Sequence, residues 1–286
     1  MPQHLLAALA LVGVWSTTAL AINWSVHGLA VSAALFGRFL FATLAAWLLL
    51  RLTGRNLSLR PAACRAYLIG GCGVAASMLC TYWASRSVSS GMIAVIFGLI
   101  PFSTALFARL WLGERLAGRE LVGMLLGLVG LAVLFSNHLD AGLVGLLVTL
   151  LAVFIQSATA VRLKIAAQEL SAMAVNTGAL AVCGVVTGTF WLLNGAPLPA
   201  DMPWRAIGAV GWLALIGSAI GFSLYYWMIR ECRPAQVAVL SLVSPAAALW
   251  LGHALNAEHV SVQMLAGTVL IVGGLVCHQF GPRAAP

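Results

Sequence analysis

Charge is scarce in this sequence. Asp, Glu, Lys and Arg make up 8% of its 286 residues, hydrophobic residues make up 62%, and the mean hydropathy is +1.02. A soluble domain carries about 25% charged residues, so water is excluded as the solvent for most of this surface. Lysine is nearly missing: 14 of the 15 basic residues are Arg, and Lys164 is the exception. The net charge of +8 could suggest nucleic acid, but the basic residues sit between apolar runs, where they act as topology signals. Short alternating segments are also missing. The apolar runs are about 20 residues long, which excludes a β-barrel and leaves a polytopic helical membrane protein.

Reactive chemistry is equally thin. The six cysteines, Cys64, Cys72, Cys80, Cys183, Cys232 and Cys277, form no CxxC and lie mostly inside apolar runs, so they pack as small apolar thiols. GxxxxGK[ST], HExxH and GxSxG do not occur. No catalytic residue, metal site or cofactor is therefore assigned, and the chain does not read as an enzyme. The n-region MPQH holds no Lys or Arg, so the first run reads as a retained span and not as a cleaved leader, despite Ala19-Leu20-Ala21 at its end.

Polar and turn-forming clusters divide the chain into ten predicted spans: 5–22, 29–51, 63–84, 89–110, 119–136, 142–161, 171–193, 204–228, 234–254 and 260–280. With the N-terminus inside, Arg51, Arg55, Arg60, Arg65, Arg109, Arg115, Arg119, Arg162, Lys164, Arg230, Arg233 and Arg283 are cytoplasmic, and only Arg86 and Arg205 are outside. This bias places both termini in the cytoplasm.

The two halves repeat. VIFGLIPFSTALFARLWLGE (95–114) is mirrored by SLVSPAAALWLGHALNAE (241–258), so that Pro101 matches Pro245 and Glu114 matches Glu258 at an offset of 144. The same offset matches Tyr82-Trp83 to Tyr226-Trp227, Arg86 to Arg230, Gly123 to Gly267 and Gly130 to Gly274. Near the start of each half an offset of 141 matches Ser16-Thr17 to Ser157-Ala158 and Gly37 to Gly178. Five spans per half is an odd number, so the second copy must enter the membrane in the opposite sense. The expected fold is an all-α integral membrane protein of ten transmembrane helices, built as two inverted five-helix repeats, residues 1–138 and 139–286.

A helix with a central proline, a following Gly-Glu and a glycine-bearing last helix resembles the EamA-type members of the drug/metabolite transporter superfamily. The fuller copy is SVSSGMIAVIFGLIPFSTALFARLWLGERLAGRELVGMLLGLVGLAVLF, residues 87–135. The second copy departs by having Ala257 where the first has Gly113. The resemblance implies export of small metabolites, amino acids among them, through a cavity lined by helices 1, 3, 4, 6, 8 and 9.

Candidate substrate-binding residues are Trp15, Thr17, Arg38, Tyr82, Phe97, Gln156, Tyr226, Ser241 and Ser244. Together they suit a small amphiphilic ligand. Arg38 is the one charge deep in a span, where burial costs on the order of 3 kcal/mol. It could attract a carboxylate or serve structure alone. Pro101 and Pro245 free the carbonyls of Phe97 and Ser241 and predict paired kinks inside spanning helices. Glu114 and Glu258 are candidate gating residues, with capping of a helix as the plainer alternative. All seven acids fall in loops or at span ends. That predicts alternating access without an intramembrane carboxylate proton relay. The expected partners are a small-molecule substrate and the lipid bilayer, with no nucleic acid. A monomer suffices, and the expected location is a bacterial inner (plasma) membrane. A multidrug or nucleotide-sugar carrier, and a non-transporting membrane sensor or scaffold, are the alternatives.

Overall fold

The computed structural model describes residues 2–114, 118–136, 142–167, 170–196, 203–221, 224 and 234–280. Every element among them is helical: α1 Pro2–Gly28, α2 Val31–Leu52, α3 Pro61–Ala84, α4 Ser90–Phe97, α5 Ile100–Leu112, α6 Gly118–Phe135, α7 Gly142–Ala166, α8 Ala172–Leu193, α9 Trp204–Trp212 running into a π-helical stretch Leu213–Ile220, α10 Pro234–Asn256 and α11 Val262–Phe280. Six segments are long and apolar enough to cross a bilayer, with Ser90–Leu112 (α4 and α5) counting as one; Trp204–Ile220 and Val262–Cys277 are shorter apolar helices. Large apolar side chains such as Phe41, Leu44, Leu48, Leu125, Leu128 and Val269 lie on the outside. That is the arrangement expected where hydrocarbon replaces water.

Helix bounds repeat with the sequence. α8 copies both ends of α2 at the offset of 141, and α10 copies the outer bounds of α4 and α5 at 144. α6 packs on α11 through backbone contact. A Cβ on Gly130 would lie 2.8 Å from the Gly267 carbonyl oxygen, and one on Gly274 would lie 2.5 Å from that of Gly123. Gly123 meeting Gly274 while Gly130 meets Gly267 makes the two helices antiparallel. Small residues at these four places let the backbones close up, which drives helix association in lipid.

The proline at 101 behaves differently from the kink expected of it. Helix α4 stops at Phe97, Gly98 and Leu99 form a turn, and α5 restarts at Ile100 with Pro101 in its first turn. Gly98 and Leu99 stay right-handed, and their N–H groups donate three residues back, to Val95 (3.0 Å) and Ile96 (3.0 Å). The missing Pro101 donor thus interrupts the ladder and tightens it locally. Pro245, in contrast, lies inside an unbroken α10. The counterpart of Gly98 there is Leu242, a residue type that favours a continuous helix. The glycine also serves a close approach, since its Cβ would sit 3.2 Å from Cγ of Pro245.

Turns close both copies the same way. Gly113, after α5, is left-handed (φ 67°), and its counterpart Ala257, after α10, is left-handed too (φ 51°). Glycine takes that conformation freely, whereas alanine is strained by about 1–2 kcal/mol. The departure from glycine at 257 therefore changes the cost of the turn and not its shape.

Candidate transport site

The middle of the bundle carries a matched pair of buried serines, each set against a proline-bearing helix. Ser16 of α1, buried, gives its hydroxyl proton to Val12 of its own helix (2.6 Å) and sets the same oxygen 3.4 Å from the carbonyl of Ser244, and Ser157 of α7, also buried, donates to the carbonyl of Ile100 (3.4 Å). The Ser244 and Ile100 carbonyls each belong to the residue just before a proline, Pro245 or Pro101. The serines are related by the offset of 141 and the two carbonyls by 144. Helix α1 therefore packs on α10 as α7 packs on the α4–α5 pair, in both cases beside the proline.

Arg38 projects from α2 between α3 and the π-helical stretch. It is 4% exposed. Its Nε donates to Ser218 Oγ (3.4 Å), and one terminal nitrogen reaches Tyr82 Oη (3.5 Å) and Met78 Sδ (3.6 Å). The guanidinium also lies 5.2 Å from the Phe39 ring centroid and 5.9 Å from that of Tyr82. These are long contacts to neutral groups. Among the described residues no carboxylate stands within ion-pair distance of Arg38. Ser218 is presented by a π-helical stretch, a geometry frequent at functional sites.

The remaining candidates are more dispersed. Gln156 has a buried Oε1 with no hydrogen-bond partner among the described residues. Thr17 bonds back to its own helix and accepts from Trp212 Nε1 (3.2 Å). Trp15 packs against the small cluster of Ala7 and Leu11, and Phe97 packs against the large apolar cluster of α4, α6, α7, α10 and α11. Ser244 is buried. Tyr226 and the Ser241 side chain lie outside the described residues. The structure thus joins Arg38 to Tyr82 and sets Ser244 beside α1.

The two ends of the bundle differ. At one end Glu258 accepts four hydrogen bonds. Its Oε1 takes the Ser90 N–H (3.0 Å), the Ser90 hydroxyl (2.7 Å) and Asn256 Nδ2 (3.0 Å), and its Oε2 takes the Gly91 N–H (3.0 Å). The carboxylate, borne on the segment after α10, therefore caps the first turn of α4, where the helix dipole favours negative charge. Asn256 also donates to Asn23 Oδ1 (3.2 Å) and accepts from Trp24 Nε1 (2.9 Å), while Asn23 donates to the Ser85 carbonyl (3.1 Å). Arg205 covers Trp24 at 4.1 Å and donates to the last carbonyls of α10 at Leu255 (3.0 Å). Four parts of the chain are knotted there. Beside the knot lies a cavity of about 430 Å³ lined by Val88, Met92, Leu146, Glu258, His259 and Met264 among others.

At the opposite end Glu114 makes one ion pair, to Lys164 (3.0 Å), with both side chains more than half exposed. Such a pair contributes under about 1 kcal/mol. Arg162 stacks nearby over Trp111 at 4.5 Å.

A model of the EamA-like transporter family matches residues 3–136 and again residues 143–278. The chain belongs to the EamA-like transporter family. The uncharacterized inner membrane transporter YedA of Escherichia coli K12 is 30% identical over 93% of this chain and 87% of its own. The uncharacterized transporter YoaV of Bacillus subtilis is 20% identical over 98% of both. An S-adenosylmethionine/S-adenosylhomocysteine transporter of Chlamydia trachomatis serovar D is 25% identical over 77% of this chain and 72% of its own. A solved crystal structure 19% identical to the chain shares its fold, with a TM-score of 0.72 over 96% of this chain and 97% of that one.

In this EamA-like transporter, sequence reasoning singled out Glu258 but missed what it holds. Ser90, Gly91, Asn23, Trp24 and Asn256 carry the knot, and Ser218 and Met78 complete the surroundings of Arg38. Only Ser89 gave a local signal: it precedes the helix and its hydroxyl accepts the Met92 N–H (3.3 Å) as an N-cap.

Proposed function

We propose that this EamA-family chain is a secondary transporter that exports small amphiphilic metabolites bearing a carboxylate, amino acids first, by alternating access. In this reading it crosses a bacterial inner membrane ten times as two inverted halves, 1–138 and 139–286, with both termini cytoplasmic. Glu258 then lies at the outer end and Glu114 at the inner end. The observation that carries the reading is the matched approach of Ser16 to the Ser244 carbonyl and of Ser157 to the Ile100 carbonyl, each at 3.4 Å. Two halves that pack on each other's proline-bearing helix in the same way can exchange conformations, and that exchange yields inward- and outward-open forms.

Arg38 supports a carboxylate as the recognised group, because a buried cation with no carboxylate beside it among the described residues gains most from a negative partner. Tyr82, Phe39 and Met78 beside it suit an apolar side chain, and the Gln156 Oε1, without a partner among the described residues, suits an ammonium or amide donor. The Chlamydia relative's named substrates are themselves amino-acid derivatives, in keeping with this class. All seven acids of the sequence fall in loops or at span ends, which favours efflux or exchange down the substrate gradient over proton coupling. The test is flux of labelled amino acids across liposomes containing the purified chain, with and without an imposed pH gradient. Flux that equilibrates in both conditions is expected. Concentration driven by the pH gradient would refute the coupling statement, and no flux of any carboxylate-bearing solute would refute the substrate class.

A further inference from the structure

Glu258 and Glu114 are repeat counterparts, yet only one of them grips a helix. Glu258 holds Ser90 and Gly91 at the start of α4 with both carboxylate oxygens, and Gly91 and Gly252 leave room for it. A Cβ on Gly252 would stand 2.5 Å from Glu258 Oε2, and one on Gly91 would stand 2.8 Å from Leu249 Cδ1. At the other end the offset of 144 carries Ser90 to Pro234, Gly91 to Ala235, Gly252 to Ala108 and Asn256 to Leu112. Pro234 has neither a hydroxyl nor a backbone N–H. The start of α10 therefore offers Glu114 only one of the three donors that the start of α4 offers Glu258. The two glycines are replaced by alanines, whose Cβ atoms narrow the approach. In keeping with this, Glu114 stands out in solvent on Lys164, the 141-offset counterpart of Asn23.

We infer that Glu258 and Glu114 are two latches of one switch, and that the sequence makes the outer latch the stronger. Glu258 closes the outer end by clasping the first turn of α4. Glu114 closes the inner end by clasping the first turn of α10, and engaging one latch releases the other. The missing donors at Pro234 bias the resting protein toward the outward-closed form. This rests on the alternating-access reading above, but it concerns resting populations and needs no substrate.

Val95 reports on the outer latch. It lies one turn beyond Gly91 and just before Gly98, which face Leu249 and Pro245 of α10, and it is 1% exposed. Ala105, the counterpart of Leu249, is the inner reporter. Val95→Cys and Ala105→Cys are placed singly in the full-length chain freed of native cysteines. Labelling by an impermeant maleimide is then measured from the outer face in whole cells and from the inner face in inverted vesicles. Glu258→Gln is expected to raise outer labelling at Val95→Cys about tenfold and to lower inner labelling at Ala105→Cys. Glu114→Gln should leave outer labelling unchanged. The decisive variant is Pro234→Ser with Ala235→Gly, which restores donors and space to the inner latch while leaving the outer one intact; it should raise outer labelling and lower inner labelling. If Glu258→Gln raises labelling at both reporters, Glu258 is a structural cap and the switch is refuted. If the Pro234→Ser/Ala235→Gly chain labels like the parent, the asymmetry is refuted. A chain that labels as expected yet moves no amino acid would overturn the substrate reading and leave the latches standing.

Discussion

Replacing Gly252 by alanine separates closure from stability, because the two respond with opposite signs. Gly252 sits in the last two turns of α10. Within a helix, alanine is favoured over glycine by about 1 kcal/mol. The new Cβ, however, would lie 2.5 Å from Glu258 Oε2 and 3.0 Å from both Glu258 Cδ and Ser90 Oγ. The carboxylate must withdraw, and the oxygen that withdraws is the one holding the Gly91 N–H at 3.0 Å. A hydrogen bond to a charged group contributes about 1.5–3 kcal/mol. Losing it lowers the ratio of latched to unlatched forms about ten- to a hundredfold, while the helix gain offsets part of the loss in overall stability. Gly252→Ala should therefore melt within a few degrees of the parent protein in detergent, yet label from the outer face at Val95→Cys at least tenfold faster. An unchanged labelling rate in a normally folded Gly252→Ala chain would refute the reasoning. So would a large drop in melting temperature without any gain in labelling.

Other perturbations follow from the same contacts. Arg38→Met removes a buried charge that no carboxylate balances among the described residues, so stability should be unchanged or raised by about 1 kcal/mol. Flux of carboxylate-bearing substrates should fall at least about tenfold, and a neutral analogue should be spared; parallel flux measurements on the two solutes check this. Arg38→Lys should not rescue, because a single ammonium cannot span Ser218 and Tyr82 as the guanidinium does. Ala257→Gly relieves a left-handed alanine (φ 51°) and should stabilise the folded chain by about 1 kcal/mol, read as a raised melting temperature. Glu114→Gln removes an exposed ion pair and should change stability by under about 1 kcal/mol in the same assay.

Much of this architecture was legible in the chain because lipid imposes long apolar runs and because the repeat fixes register. The spans predicted at 29–51 and 171–193 overlie α2 and α8 to within a residue or two, where the offset and the hydropathy agree. Arg38 was visible because a charge midway along an apolar run stands apart from its neighbours and must find partners or reach an interface. The knot at Glu258 was not visible, because its members come from positions 23, 85, 90 and 256 and no local pattern links them. The break at Gly98–Leu99 was missed for a different reason. A proline announces a missing hydrogen bond, but whether the helix bends or restarts depends on its neighbours: glycine at 98, leucine at 242. Alanine in a left-handed turn at 257 was obscured because its propensity argues against the conformation that the repeat demands.

The central claim is that the two ends close in alternation. Spin labels at Arg86 and His253 report the separation of the outer ends of the α3–α4 turn and α10. Labels at their repeat counterparts Arg230 and Arg109 report the inner ends. Pulsed electron-resonance distances measured with and without a transported substrate test the claim directly. Alternation predicts that the outer distance is short at rest and lengthens with substrate while the inner distance shortens. Distances that change in the same direction, or an outer pair that stays fixed under conditions of measured flux, would contradict it.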